Sequence, residues 1–243
     1  MSKFLHAPAL IKRYDFVKEY GHLIDETLLR LEKANGGLKV AKSISPDKGG
    51  STNKTETTHL TRHGITEVGR ARMIDWMFEV LTAFGMSEQT FFLSVQFMDR
   101  YISQKSACLG LDQLHIIGIT SMFIASKYED ITPLFMPTIV TRIGHERFPK
   151  ESILSQEKEI LGTLCFKLAS VPTVLEFLER YLTDQYFLAY PTPGHKSLKT
   201  MAKYMACLQT HHIQFAGLKA SLVAASCILV AHRLILTKAA RTP

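Results

Sequence analysis

Apolar and polar residues alternate along most of this chain with a period near 3.6, the spacing of helices that bury one face. Thr66 followed by Val68, Met73, Trp76, Met77, Val80, Leu81 and Phe84 predicts a long amphipathic helix, with Thr66 as its N-cap and Gly85 as its stop. A second helix is predicted from Ser87 to about Ser103, with Phe91, Leu93, Val95, Phe97, Met98 and Ile102 inward. From Leu111 to Asp130 the alternation fails. Ile116 to Ser126 holds eleven residues without a charge, apolar at nearly every angle of a helical wheel, which predicts a central helix enclosed by others. Thr132-Pro133 ends it. A short helix from about Met136 to Ile143 follows, and Pro149 opens a fifth that runs to about Leu164, with Ile153, Leu154, Ile160, Leu161 and Leu164 inward.

Val171-Pro172-Thr173 then starts the order again. An amphipathic helix over 173–185, a Pro/Gly loop at 191–194, a helix at about 196–210 and a nearly all-apolar helix from Leu218 to Leu236 read as a second copy of the unit, running out after its third helix. Ahead of both copies, residues 8 to 34 predict a helix with a stripe of Phe16, Tyr20, Leu23, Thr27 and Leu31, stopped by Asn35-Gly36-Gly37. The pattern divides the chain into an N-terminal helical segment (1–35), a polar flexible linker (36–64), a first helical domain (65–168) and a partial second one (169–243). No strand pattern is present, so the fold class is all-α. Within the linker, Ser45-Pro46-Asp47-Lys48 reads as an ordinary turn, or as the minimal site of a proline-directed kinase with Ser45 as acceptor.

Composition narrows the function. The uncharged runs at 116–126 and 220–231 are too short for a bilayer, which needs about 20 residues, and the N-terminus interrupts its apolar residues with charge too often for a signal peptide. Cys108, Cys165, Cys207 and Cys227 are widely spaced and predict reduced, buried thiols. The net charge of +7 is uneven. Residues 1–64 carry 11 Lys and Arg against 7 Asp and Glu, residues 65–165 carry 9 against 12, and residues 166–243 carry 9 against 3. A nucleic-acid binder would concentrate its cations on its best-ordered module, and here they lie at the ends. No nucleophile elbow, phosphate loop or metal-spaced cluster is present, so neither an enzyme nor a cofactor is expected. His211 and His212 are adjacent and point about 100° apart on a helix.

RARMIDWMFEV, FMDRYIS, ASKYED and PTVLEFLERYL, in this order between Arg70 and about Leu236, resemble the successive signatures of the cyclins, and more specifically of the A- and B-type mitotic branch. The resemblance implies tandem cyclin folds, a five-helix cyclin box and an incomplete second repeat. It implies a non-catalytic subunit in nucleus and cytoplasm that binds and activates a cyclin-dependent protein kinase, with substrates or inhibitors as further partners and no membrane. Arg70 and Asp99 match the pair that ties the first box helix to the second, and Ile116 stands where the family usually has leucine. Lys127 matches the lysine ending the central helix. Glu157 matches its partner on the fifth helix if one extra residue is allowed near Gly144 to Phe148. Tyr128, Leu161, Phe166 and Leu168 match apolar positions of the kinase interface; from the residues alone, each reads as ordinary core packing.

The resemblance departs at the substrate-docking patch. Gly69-Arg70-Ala71-Arg72-Met73 replaces the usual Met-Arg-Ala-Ile-Leu. Trp76 and Glu79 are kept, while Leu111 and His115 fall near an expected arginine and glutamine. The added cation, Arg72, should repel the basic Arg-x-Leu peptides that such a patch receives. The alternative function is a cyclin-fold transcription factor or adaptor; as a promoter binder it predicts a basic first repeat and a Cys-rich zinc ribbon, and neither is in the sequence.

Overall fold

The computed structural model describes residues 7–35, 59–183 and 193–239, and among them every regular element is helical. In chain order these are α1 (Ala7–Asn35), α2 (His59–Arg62), α3 (Glu67–Ala83), α4 (Glu88–Gln104), α5 (Leu111–Glu129), α6 (Met136–Thr138) running into a π turn (Ile139–Ile143), α7 (Lys150–Thr163), a 3-10 turn (Leu168–Ser170), α8 (Val174–Leu182), α9 (Pro193–Thr210), α10 (Ile213–Ala216) and α11 (Ala220–Ala239). They divide into two compact units. One comprises Gly37–Ala169 and Gln209–Leu218, the other Met1–Gly36, Ser170–Leu208 and Lys219–Pro243.

In the first unit α5 is the hub, and it packs against α3, α4 and α7. Every residue from Ile117 to Ser126 is buried, as its uncharged run requires. Thr66 caps α3 by accepting the Gly69 N–H at 2.9 Å. At the other end Gly85, at φ +66°, lets Met86 N–H reach Leu81 O (2.9 Å) and its own N–H reach Thr82 O (3.1 Å), which satisfies the last carbonyls of the helix. His63 is buried between α2 and α4. It accepts the Leu109 N–H at Nδ1 (3.2 Å) and therefore donates from Nε2 to Ile102 O (2.8 Å). On α3 the inward set includes Ile74, which is fully buried, whereas Val68 of the expected stripe lies in solvent.

In the second unit α8 begins with a reciprocal cap. Thr173 Oγ1 accepts the Glu176 N–H (3.2 Å) and Glu176 Oε2 accepts the Thr173 N–H (2.6 Å). α11 packs on α8 through the row Val223, Ala224, Cys227 and Ala231, while Leu222, Leu229, Val230 and Leu234 remain exposed. α1 corrects the expected stripe: Tyr20 and Leu23 are exposed and Gly21 and Glu32 are buried, a shift of about one residue. Polar partners decide it. Asp25 Oδ2 accepts from Arg180 Nη2 (2.7 Å), and Glu32 accepts the Ser221 N–H (2.8 Å) and hydroxyl (2.7 Å).

Two further expectations change. All four cysteines are free, but Cys108 and Cys165 are exposed and only Cys227 is buried, where burial pushes its thiol pKa up. The stretch Lys150–Leu182 contains a window apolar enough for a membrane span. The chain breaks it after Thr163, however, into helices of 14 and 9 residues, each well short of the roughly 20 a bilayer requires.

Candidate functional site

Arg70, in the second turn of α3, and Asp99, on α4, form a buried pair with side-chain exposures of 1% and 3%. Arg70 Nε and Nη2 reach Asp99 Oδ1 and Oδ2 at 2.8 and 2.6 Å, a two-pronged fit that only a guanidinium makes. Nη1 donates to Thr210 O (2.8 Å) and His211 O (3.2 Å), so one side chain joins α3, α4 and the end of α9. Ile116, by contrast, is only half-buried on α5.

At the C-terminal end of α5 and the middle of α7, Lys127 Nζ and Glu157 Oε1 form an ion pair. Lys127 lies in the last turn of α5, where the helix dipole favours a cation, and its ammonium sits 4.0 Å from the centre of the Phe123 ring. The lysine is 40% exposed and the glutamate 11%, so the pair opens outward. Between the two helices lies the irregular segment 139–146. A π turn closed by Gly144 N–H to Ile139 O (2.7 Å), followed by His145 and Glu146 at φ +48° and +60°, holds more residues than an α-helical connection would.

Tyr128 is exposed beside Lys127, and Leu161, one turn beyond Glu157, is half-buried. Phe166 is 73% exposed because of how α7 ends. Cys165 and Phe166 take φ of +50° and +56°, and their N–H groups bond Gly162 O and Leu161 O, each at 3.0 Å. This is a glycine-type helix stop made without glycine, at a cost of about 1–2 kcal/mol per residue. Leu168 is half-buried.

Sequence reasoning missed the residue that holds this segment. Arg100 Nη2 donates to Lys167 O (2.8 Å) and Nη1 reaches Leu168 O (3.5 Å), fixing the backbone on either side of their peptide bond to α4. Burial lowers the Arg100 pKa from its ordinary value. Also missed were Ile131 and Phe135, both largely in solvent. Their loop is braced by Asp130, which accepts the Ser87 N–H (3.0 Å) and the Thr90 hydroxyl (2.5 Å), and by the Leu134 N–H on Ser126 Oγ (3.1 Å). Large apolar side chains on a braced loop were foreshadowed only by Ile131 and Phe135 flanking Pro133.

The degenerate docking residues fall together. Arg72, Met73, Trp76 and His115 line one groove between α3 and α5 with Gly69 and Leu114. Glu79 is exposed and outside the lining, and the Leu111 side chain and Ser45 lie outside the described residues.

Family models described as "Cyclin, N-terminal domain" and "Cyclin, C-terminal domain" match residues 48–169 and 172–242. A G2/mitotic-specific cyclin-A of Hydra viridissima is 36% identical over 167 residues, covering 68% of this chain and 38% of that protein. A G2/mitotic-specific cyclin-B of Emericella nidulans is 32% identical over 170 residues, covering 70% and 33%. The chain thus spans well under half the length of these relatives. A solved viral cyclin from herpesvirus saimiri superposes with a TM-score of 0.58 at 24% identity, covering 69% of this chain and 70% of that one, which bears on the fold.

Proposed function

Since this chain belongs to the cyclin family, we propose that it is the regulatory, non-catalytic subunit of a cyclin-dependent Ser/Thr protein kinase in cell-cycle control. Its docking face in this reading is centred on Lys127 and Glu157. The observation that carries the reading is the outward-opening ion pair, accompanied by exposed apolar side chains next to Lys127 (Tyr128), on the loop after α5 (Ile131, Phe135) and just past the end of α7 (Phe166). An exposed pair of this kind contributes at most about 1 kcal/mol to a free protein. Covered by a partner it becomes a fixed electrostatic feature, and removing one member then costs about 3–5 kcal/mol.

Activation follows from differential affinity. Only a surface that binds the active arrangement of the kinase better than the inactive one shifts its population, and about 5.5 kcal/mol of difference moves a 1:99 ratio to 99:1. In this reading the charged pair orients the kinase element it touches, and Tyr128, Leu161, Phe166 and Leu168 supply the apolar anchoring. Arg100 is a positioning residue, since it holds the backbone behind Phe166. The complex is a heterodimer of nucleus and cytoplasm, without a role for membrane or nucleic acid.

Titrating purified kinases with this chain, and measuring phosphorylation of a generic substrate peptide, tests the reading. A kinase that is silent alone and active with the chain supports it. A folded chain that leaves every cyclin-dependent kinase tested both unbound and silent sinks it.

A further inference from the structure

Five residues after Lys127, the loop that leaves α5 carries a hydroxyl that the docking reading does not use. Thr132 and Pro133 both lie in solvent, between the fully exposed Ile131 and the buried Leu134. The chain has four Ser/Thr-Pro pairs, beginning at Ser45, Thr132, Thr192 and Thr242, and Thr132 alone of these is among the described residues. Proline closes the helical region to the residue before it and brings no N–H of its own. A Ser/Thr-Pro pair therefore suits a kinase cleft that takes extended backbone and asks for no hydrogen bond after the acceptor. The backbone on either side of the pair is already extended, at φ −90° and ψ 143° for Asp130 and φ −87° and ψ 132° for Phe135. Asp130 pins the near end to Ser87 and Thr90, and the Leu134 N–H on Ser126 Oγ (3.1 Å) pins the far end. The hydroxyl is thus presented between two anchors, and a kinase must lift Leu134 from its seat to take it.

A phosphate on this loop would have no cation close to it in sequence. Residues 128–141 contain Glu129 and Asp130 and neither lysine nor arginine. Lys127 is held by Glu157, and Arg142 lies over the Phe84 ring, 4.9 Å from its centre. A phosphothreonine adds a charge of about −1.5 to −2, which orders a segment where guanidinium groups meet it and repels where carboxylates do. Its place decides the consequence. From Lys127, two helical steps and three extended ones span at most about 13 Å. A standard interface of about 800 Å² per partner is a disc of about 16 Å radius. Thr132 therefore falls inside the footprint of a partner centred on Lys127.

We propose that Thr132 is a phosphorylation site for a proline-directed Ser/Thr kinase, and that its phosphate and a docked cyclin-dependent kinase exclude one another. Thr132 Oγ attacks the γ-phosphorus of the Mg-ATP that the modifying kinase holds. The bond to the β–γ bridging oxygen breaks, ADP leaves, and the hydroxyl proton passes to that kinase's base. The free chain offers the hydroxyl and the docked chain covers it. Once formed, the phosphoester sets a hydrated anion next to Ile131, where docking needs apolar contact, and covering it would bury a charge without a partner. The exclusion rests on the docking face proposed above; the site itself does not.

The test treats the full chain with Mg-ATP and a proline-directed kinase that is active without a second subunit. Phosphate is located by mass spectrometry in the tryptic fragment 128–142, whose other threonines, Thr138 and Thr141, do not precede proline. Wild type should carry one phosphate there and Thr132→Val none. A free peptide of residues 128–142 should react faster, since nothing holds its leucine. An unmodified Thr132 in the folded chain, under conditions that saturate the peptide, overturns the site. The phosphorylated chain should bind a cyclin-dependent kinase about tenfold more weakly than the untreated one, or about 1.4 kcal/mol. Treated Thr132→Val, carrying whatever phosphate the other three pairs accept, should bind as it did before treatment. A saturating excess of catalytically inactive cyclin-dependent kinase should slow the modification of wild type about tenfold. Equal binding after full phosphorylation, or an unprotected Thr132 in the complex, overturns the exclusion. An untreated chain that binds no cyclin-dependent kinase overturns the docking reading and the exclusion with it, while the mass spectrum still decides the site.

Discussion

Replacing Arg70 with alanine should be among the most damaging single changes in the first unit. The substitution removes both bonds to Asp99 and leaves its carboxylate, 3% exposed, without a cation. Stranding one member of a buried pair costs about 3–5 kcal/mol. Thr210 O loses a 2.8 Å donor as well, worth about 1 kcal/mol. The sum is about 4–6 kcal/mol, a large part of the 5–15 kcal/mol that typically separates folded from unfolded states. At about 2–4 °C per kcal/mol for a chain of this length, Tm should fall by about 8–24 °C. Urea unfolding followed through Trp76, which lies in the same unit, measures it directly. Arg70→Lys keeps the charge without the fork and should fall between the extremes. Arg70→Met combined with Asp99→Leu removes both charges and should recover most of the loss. An Arg70→Ala cost below about 1 kcal/mol, the value of a solvated pair, refutes the argument, as does a double variant no more stable than the single one.

Three other outcomes follow from particular contacts. Gly118→Ala must push the Met73 methyl out of its seat and should cost about 1–3 kcal/mol in urea unfolding, much of it restored by a shorter side chain at position 73. Arg100→Ala should weaken kinase binding about tenfold with the helical circular dichroism unchanged, because it frees the Lys167 and Leu168 carbonyls that hold the Phe166 segment. His115 has a folded-state pKa below its ordinary 6.5. As pH falls through 6.5 the unfolded ring protonates first, so stability is full above that value, declines below it and levels off under the folded pKa. Between pH 8 and 5.5 wild type should therefore lose more stability than His115→Phe, and equal losses would count against the packing described.

How much was legible depended on what kind of partner each residue has. The enclosure of α5 could be read from eleven uncharged residues, since only burial on all sides tolerates them. Caps were legible too, because Thr66, Thr173 and Gly85 act on backbone within a few positions of themselves. The stripe on α1 failed because Asp25 and Glu32 resemble a solvated face until Arg180 and Ser221 are brought to them. Arg70 and Asp99 are 29 residues apart, and without the family resemblance they pass as surface charges. Arg100 was invisible in its hold on 167–168 because backbone carbonyls leave no mark in a sequence. Phe166 was read for its type; its exposure comes from a left-handed turn at Cys165 that glycine would normally announce.

Affinity for a cyclin-dependent kinase across a charge swap at the Lys127–Glu157 pair bears most directly on the proposed function. Lys127→Glu and Glu157→Lys should each lose at least about a hundredfold, the equivalent of about 3 kcal/mol. The double swap should restore the fold's own contact, but leave a kinase surface that expects the original polarity poorly bound. Binding within twofold of wild type for either single variant, with the chain still folded, would contradict the account and leave the pair as a feature of the fold alone.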